Sequence, residues 1–532
     1  MRFFNTAGPV NCEDHYCLPP LERFDLADIL SLIEQKKYFV LHAPRQTGKT
    51  SALLALMEHL NRRGPYRALY ANLEVGQSAR EDIAAAMRAI VNEIASRARD
   101  FLDEPFLKTI AQEVLQESGP HSALGEILTR WAERSMQPLV LLLDEVDALV
   151  GDTLIAVLRQ LRAGYDKRPS HFPSTVVLCG VRDVRDYRIH SSQSQTIITG
   201  GSAFNIKAVS LRLGDFSQAE VERLLLQHTA ETGQVFEADT LATVWALTRG
   251  QPWLVNALAY ETTFTMHAGR DRIQPITAEM IQQAKENLIL RRETHLDQLT
   301  DKLREPRVRR VIEALLVSGE TPLELPDDDL QYVADLGLIR RTPNVVIANP
   351  IYREIIPRAL TSVTQDFIVQ ELAWYIRPDG QLDLPKLLAA FQQFFREHSE
   401  SWVERFDYKE AGPQLLLQAF LQRIVNGGGR VEREYGLGRK RTDLLVLWPV
   451  AEPGVEGKEH VQRGVIELKV LHKSLEATLA EGVVQTWEYA DRCGAAEAHL
   501  VIFDRTPDKP WEEKIFRREE AIQGRPITVW GM

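Results

Sequence analysis

Two groups of residues in this chain have the types and spacing needed to handle phosphates. The first is Gln46-Thr47-Gly48-Lys49-Thr50, followed well downstream by Leu139-Val140-Leu141-Leu142-Leu143-Asp144-Glu145. A phosphate loop needs glycine where backbone N–H groups approach oxygen atoms, and a lysine that reaches the terminal phosphates. It also needs a hydroxyl for magnesium, at a helix N-terminus whose dipole favours negative charge. Gly48, Lys49 and Thr50 supply these parts, with Gln46 and Thr47 inside the loop. Ala43 stands where such loops usually begin with glycine, and its side chain is small enough to leave the turn possible. The apolar run into Asp144-Glu145 puts two carboxylates at the tip of a buried strand. In that place Asp144 would position magnesium through its hydration shell, and Glu145 would polarise an attacking water. The plainer alternative is a turn and an unrelated acidic strand end.

The second group is Arg441-Thr442-Asp443 with Val465-Ile466-Glu467-Leu468-Lys469. Strand periodicity puts Glu467 and Lys469 on one face, and Ile466, Leu468 and Val470 on the other. Asp443 opens the preceding apolar strand Leu444–Leu447, so the two strand tips can converge on one cation. Glu410, on an upstream helix, could add a third carboxylate. Carboxylates that hold Mg²⁺, beside a lysine near the nucleophilic water, are what phosphodiester hydrolysis requires. A lone Glu-x-Lys is also ordinary on a surface strand. Gly436, Gly438, Arg439, Lys440 and Arg441 would draw phosphate toward Asp443, or simply form a solvated hairpin tip. Trp448 and Trp487 fit a core better than a base-stacking platform.

The elements that must position these groups follow from the apolar pattern. Residues 37–43, 67–73, 138–144 and 174–179 read as strands, with helices at 50–61, 80–99 and 154–164 between them. Strands alternating with helices predict a parallel sheet covered on both faces. From Ser217 to about Leu290 the pattern is wholly helical, opened by the capping box Ser217-Gln218-Ala219-Glu220. Residues 307–359 read as helices leading into a short hairpin around Pro343-Asn344, the pattern of a winged helix. Its recognition helix would begin Pro326-Asp327-Asp328-Asp329 and include Asp335. Carboxylates facing phosphate weaken DNA binding, so a structural or regulatory role is expected there. Beyond a helical stretch at 361–400, the order from about Tyr408 to Phe503 is helix, three strands, helix, strand, with a long insertion at Pro449–Gln462.

Bulk properties agree with several domains in one soluble chain. A length of 532 residues exceeds one core and predicts about three or four domains. A net charge of −11 argues against a uniformly nucleic-acid-coated surface but leaves room for a local basic groove. Four scattered cysteines give no disulfide framework and suit a reducing compartment. Cys12, His15 and Cys17 lack a fourth partner for zinc. No apolar run reaches the roughly 20 residues that span a bilayer, and the start of the chain lacks a signal-peptide core. A cytoplasmic protein without membrane contact is expected.

On the loop and the Asp144-Glu145 strand, residues 36–290 resemble P-loop ATPases of the AAA+ and STAND-like group. The resemblance implies ATP and Mg²⁺ as cofactors. Gly250-Gln251-Pro252 is similar to the group's Gly-x-Pro motif, which implies that Pro252 lies against the base. Phe24 and His15-Tyr16 would fall where an N-terminal loop covers adenine. An arginine that senses the terminal phosphate is implied; Arg159, Arg162, Arg168, Arg182, Arg185 and Arg188 compete, with Arg182 preferred for its place after the fourth strand. Such a sensor can act across a subunit boundary, so a homo-oligomer is compatible. Residues from about 400 onward resemble the PD-(D/E)XK nuclease superfamily, with Thr442 in place of the motif's proline. Carried over by position, Asp443, Glu467 and Glu410 hold metal, Lys469 orients water, and Gln485 and Tyr489 are auxiliary.

The expected fold is therefore a multidomain α/β chain. It comprises an N-terminal segment (1–35), a parallel-sheet P-loop NTPase core (36–215), a helical lid (216–295) and a winged helix (296–360). A connector (361–400) and a restriction-endonuclease-like α/β domain (401–532) complete it. The implied function is an ATP-regulated, Mg²⁺-dependent nuclease acting on nucleic acid, DNA favoured, in defence or mobile-element biology. The alternative is a nucleotide-dependent signalling or oligomerisation switch whose nuclease-like domain binds a partner without cutting. Nothing in the chain resembles helicase strand-separation motifs, which ranks a DNA translocase last.

Overall fold

The computed structural model describes residues 1–183, 188–190, 197–199, 204–291, 294–318, 325–360, 375–403, 417–418, 420–421, 429–437, 440–451, 459–471, 474–504, 506 and 509–532. The chain divides into two compact units, one of residues 1–299 with 326–352 and one of 300–325 with 353–532. The span expected to form a winged helix, 296–360, thus contributes to both units.

The first unit is built on a five-stranded sheet. Its strands are β3 (Tyr38–His42), β4 (Arg67–Asn72), β5 (Leu139–Asp144), β6 (Thr175–Gly180) and β9 (Lys207–Arg212), preceded by the short β1 (Phe3–Phe4) and β2 (His15–Tyr16). A separate antiparallel pair, β7 (Arg188–His190) and β8 (Ile197–Thr199), lies between β6 and β9 in sequence. The sheet order is β4-β5-β6-β3-β9, and every pairing is parallel. β5 and β6 are buried along their whole length, as strands covered on both faces must be. Alternation splits the core in two. Tyr38, Val40, Leu69, Leu141 and Leu143 pack under the helices Ile83–Leu102, Ala123–Arg134 and Gly151–Ala163. Phe39, Leu41, Tyr70 and Leu142 pack under the helices Leu26–Glu34 and Lys49–Arg63.

The observed strands lie within a residue of the expected ones. The helix expected from Arg80 starts later, at Ile83, because Asp82 caps it by accepting from Ala85 N and Arg80 has φ of 50°. The helical lid carries the expected capping box, with Ser217 and Glu220 satisfying each other's backbone N–H groups. It is not wholly helical, since a parallel bridge pairs Phe236 with Ile276. Residues 326–352 add the acidic helix Asp327–Asp335 and the antiparallel hairpin of β10 (Ile339–Arg340) and β11 (Val346–Ile347).

One expectation about the N-terminus is corrected. Cys12 and Cys17 form a disulfide, with Cα atoms 5.4 Å apart. The turn Asn11–Asp14, closed by Asn11 O accepting from Asp14 N and His15 N, folds the chain back so that the two thiols meet. His15 Nδ1 accepts from Asn11 N at 3.0 Å, so this histidine is committed to the turn rather than to a metal.

The second unit holds a six-stranded sheet in the order β12-β13-β14-β15-β17-β16. Its strands are β12 (Arg430–Leu437), β13 (Lys440–Ala451), β14 (Glu459–Val470), β15 (Glu497–Phe503), β16 (Phe516–Ile522) and β17 (Arg525–Gly531). The helix Leu475–Cys493 joins β14 to the parallel β15 and packs on the face that carries Leu445, Val465 and Leu500. Two features depart from expectation. The described residues of the Pro449–Gln462 segment, 449–451 and 459–462, are strand, because β13 and β14 pair out to Ala451 and Glu459. The closing β16–β17 hairpin extends the sheet beyond the expected last strand. The helix Leu384–Val403 begins in the expected connector and runs past its expected end at 400; residues 361–374 of that span fall outside the described residues.

Candidate functional site

The phosphate loop runs from the C-terminal end of β3 into the helix Lys49–Arg63. β3 lies between β6 and β9, and its following helix leads to β4 at the other edge, so the loop sits at a topological switch point. Gly48 caps the helix with φ of 93° and Gln46 has φ of 56°, the left-handed turns that aim consecutive N–H groups at an anion. Ala43 has no such φ. Its N–H donates to Gly180 O at 3.2 Å, continuing the β3–β6 ladder, and its methyl group is buried in the core. Alanine is therefore compatible with the first loop position.

Lys49 is almost fully buried and folds back on its own loop, its Nζ donating to Ala43 O and Pro44 O, each at 3.0 Å. Thr47 Oγ1 ties the loop by donating to Pro44 O at 2.8 Å. Thr50 Oγ1 donates to Asp144 Oδ2 at 2.7 Å, joining the loop to the tip of β5. Asp144 has no solvent exposure; Tyr70 OH donates to the same oxygen at 3.2 Å, and Glu145 N donates to Oδ1 at 2.9 Å. Glu145 stands in the left-handed region at φ 52°, which turns the chain at the strand tip. Burial pushes its carboxyl above the usual range, against the pull of Lys49. A hydroxyl and a carboxylate converging beside a lysine held only by neutral carbonyls form a donor set suited to a phosphate-bound Mg²⁺.

A cleft of about 730 Å³, open to solvent, begins at this loop. Gln46, Thr47 and Gly48 form one end, and Pro252, Trp253 and Asn256 of the lid another. Residues of the N-terminal segment, including Asn5, Val10 and Tyr16, complete its wall. Gly250 orients the lid wall. Its N-terminal neighbourhood is fixed by Phe216 N donating to Gly250 O at 2.8 Å, and a Cβ on Gly250 would lie 1.9 Å from Phe216 O. Pro252 then begins the helix Pro252–Tyr260, where its missing N–H costs nothing. Tyr16 lines the cleft, whereas Phe24 packs into the core beside the helix Lys49–Arg63.

The competing arginines separate by surroundings. Arg182 lies with its guanidinium 4.6 Å from the Tyr332 ring centroid and its Nε 3.8 Å from Asp335 Oδ2, both on the acidic helix Asp327–Asp335. Arg168 stacks on Tyr165 and bonds the carbonyls of Tyr165 and Ser174. Arg159 and Arg162 are exposed. Arg185 and the Arg188 side chain lie outside the described residues.

In the second unit, Glu467 is 4% exposed on β14, and Lys469 Nζ lies 3.2 Å from its Oε1. Ile466 and Leu468 are buried on the opposite face, as the strand period requires. The described pairing of β13 with β14 ends at Leu444–Ile466, so the backbone of Asp443 is one residue beyond its end on β13 and Glu467 one beyond on β14. The Asp443 side chain and all of Glu410 lie outside the described residues. Among the described residues no group of three or more His, Cys, Asp or Glu side chains is placed to hold a metal ion. Gln485, on the helix Leu475–Cys493, has a buried Oε1 without a hydrogen-bond partner. Tyr489 and Trp487 join the core there, and Trp448 is buried with its Nε1 donating to Gly380 O.

Two site residues escaped the sequence. Tyr70 is a hydroxyl near the end of an apolar strand, a signal visible only once β4 is paired with β5. Arg23 lines the cleft from a segment with no motif.

Residues 33–187 match the family described as the AAA domain. Over that span the chain is a P-loop ATPase domain of AAA type. No curated protein matches the chain. Solved structures similar to it include a Walker-type ATPase of Pyrococcus abyssi, 14% identical, covering 66% of this chain and 99% of that one with a TM-score of 0.44. Cdc6p from Pyrobaculum aerophilum is 16% identical and covers 66% of this chain and 94% of its own, at a TM-score of 0.35. The RuvB Holliday junction branch migration motor of Thermotoga maritima is 14% identical and covers 62% and 91%, at 0.32. Likenesses at these TM-scores say nothing of what this chain binds.

Proposed function

We propose that this chain is an ATP-regulated, Mg²⁺-dependent nuclease that cuts nucleic acid, with DNA the favoured substrate. The observation that carries the nuclease half is the buried Glu467 held beside Lys469 on β14, one strand from Asp443 and under the helix that bears Gln485. Burying a carboxylate is unfavourable, and a surface ion pair would not need it. Asp443 and Glu467, with Glu410, would hold the cation that polarises a phosphodiester. Lys469 would orient the attacking water and offset charge on the phosphate.

In the ATPase half, Lys49 would exchange its two loop carbonyls for the terminal phosphates. Thr50 and Asp144 would hold Mg²⁺, and Glu145 would orient water for hydrolysis. Arg182 would sense the terminal phosphate, from this chain or across a homo-oligomer boundary. The nucleotide state would then govern cutting at the C-terminal site.

The test is cleavage of plasmid and linear DNA, with RNA in parallel, by wild type, Glu467→Ala and Lys469→Ala in Mg²⁺ or EDTA. Cleavage that requires Mg²⁺ and both side chains is expected. Absence of cleavage in the wild type, with nucleotide binding intact, would favour a switch whose C-terminal domain only binds a partner.

A further inference from the structure

The cleft contains a second cation, half-buried, that the phosphate loop does not account for. Arg23 ends the short turn Pro20–Arg23 and lines the cleft together with Thr47, Gly48, Phe216 and Pro252. Its Nη1 donates to Thr47 O at 2.9 Å and its Nη2 to Gly214 O at 2.5 Å. The guanidinium lies 4.5 Å from the centroid of the Phe216 ring. A Cβ on Gly48 would come within 3.3 Å of Nη1, so the charge rests against the glycine that heads the loop helix.

Both hydrogen bonds end on neutral carbonyls, while Glu220 and Asp215 act on the charge only electrostatically. Burial works against the charged form. A guanidinium has five donors, of which these contacts use two, leaving the rest free to meet an anion in the cleft. The anion that enters a nucleotide cleft is phosphate, and the planar fork of arginine matches its oxygens better than an ammonium does. Position narrows the choice. Lys49 serves the terminal phosphates, whereas Arg23 lies between Gly48 and the Phe216–Pro252 wall where the base is expected.

We propose that Arg23 is a phosphate-binding residue of this cleft, contacting the phosphate nearest the ribose. It also joins two parts of the cleft. Thr47 belongs to the loop, and Gly214 precedes Phe216, whose N–H holds Gly250 at the start of the lid wall. An occupied loop is thereby coupled to the lid through a single side chain. This assignment rests on the cleft being the nucleotide site.

The experiment compares AMP, ADP and adenosine as competitors of a fluorescent ADP analogue, using the full chain as wild type, Arg23→Gln and Arg23→Lys. AMP differs from adenosine only by the phosphate in question. Arg23→Gln is expected to weaken AMP and ADP by roughly ten- to a hundredfold and to leave adenosine unchanged. Arg23→Lys is expected to recover part of the loss. Equal weakening of adenosine and AMP would mean that Arg23 only shapes the wall and would overturn the proposal, as would AMP affinity unaltered in Arg23→Gln. A wild type that binds neither ADP nor the analogue would overturn the nucleotide site itself, a result distinct from either.

Discussion

Asp144 shows how much a single carboxylate depends on its neighbours. Thr50 and Tyr70 both donate to its Oδ2 and the Glu145 N–H to its Oδ1, so its orientation is set before any cation arrives. Tyr70→Phe removes one hydrogen bond to this carboxylate without altering ring packing. The Mg²⁺ concentration for half-maximal ATP hydrolysis should rise about two- to tenfold, with metal-free nucleotide binding unchanged. A magnesium titration checks this. Glu145 has the opposite character, a strand-tip carboxylate beside Lys49 and not tied to Thr50. Glu145→Gln should retain nucleotide and lose hydrolysis by roughly a hundredfold or more, read as bound ATP that is not turned over. At Gly250 backbone geometry decides. With φ of 82° and Phe216 O where a Cβ would be, Gly250→Ala should lower the melting temperature and loosen nucleotide binding together.

At the scale of elements, histidine burial links the lid to the 326–352 segment. His295 stacks 4.7 Å from the Trp253 ring, its Nε2 is 2.6 Å from Tyr352 OH, and burial lowers its pKa to about 4. The unfolded chain therefore takes up a proton near pH 6.5 that the folded chain refuses until about pH 4. His295 favours the folded state above pH 6.5, and this contribution is lost as pH falls through that window, by on the order of 3 kcal/mol at most. Denaturant melts of wild type and His295→Gln between pH 7 and 4 should show the flatter slope in the variant. The same scale explains what could be read in advance. Apolar runs such as Leu139–Asp144 are legible because a strand buried on both faces leaves no polar alternation. The capping box at Ser217 is local chemistry and equally plain. The Cys12–Cys17 bond depends on a turn made by Asn11, and the role of Arg23 on Thr47 and Gly214, distant in sequence. The second leaves no local pattern, and the first shows only as two cysteines five residues apart. Pro449 disguised a continuous strand, because proline usually interrupts a ladder, yet here it pairs opposite Val461.

At the scale of the whole chain, the proposed reading gives each of the two compact units its own phosphate site around a different lysine. The proposal of a regulated nuclease predicts that the lysines separate by function. Lys49→Ala should abolish ATP hydrolysis, and Lys469→Ala should leave it intact. The candidate ATPase site was largely legible, since its loop and strand tip are each contiguous in sequence. The C-terminal set is scattered over Glu410, Asp443, Glu467 and Lys469, and only a folded sheet can bring such residues together. The most direct measurement is therefore the rate of Mg²⁺-dependent DNA cleavage by wild type, Lys49→Ala and Lys469→Ala, each with ATP, ADP or no nucleotide. Cleavage by wild type that changes with nucleotide, loses that dependence in Lys49→Ala and vanishes in Lys469→Ala is the predicted result. Cleavage equal in wild type and Lys469→Ala, under every nucleotide, would contradict it.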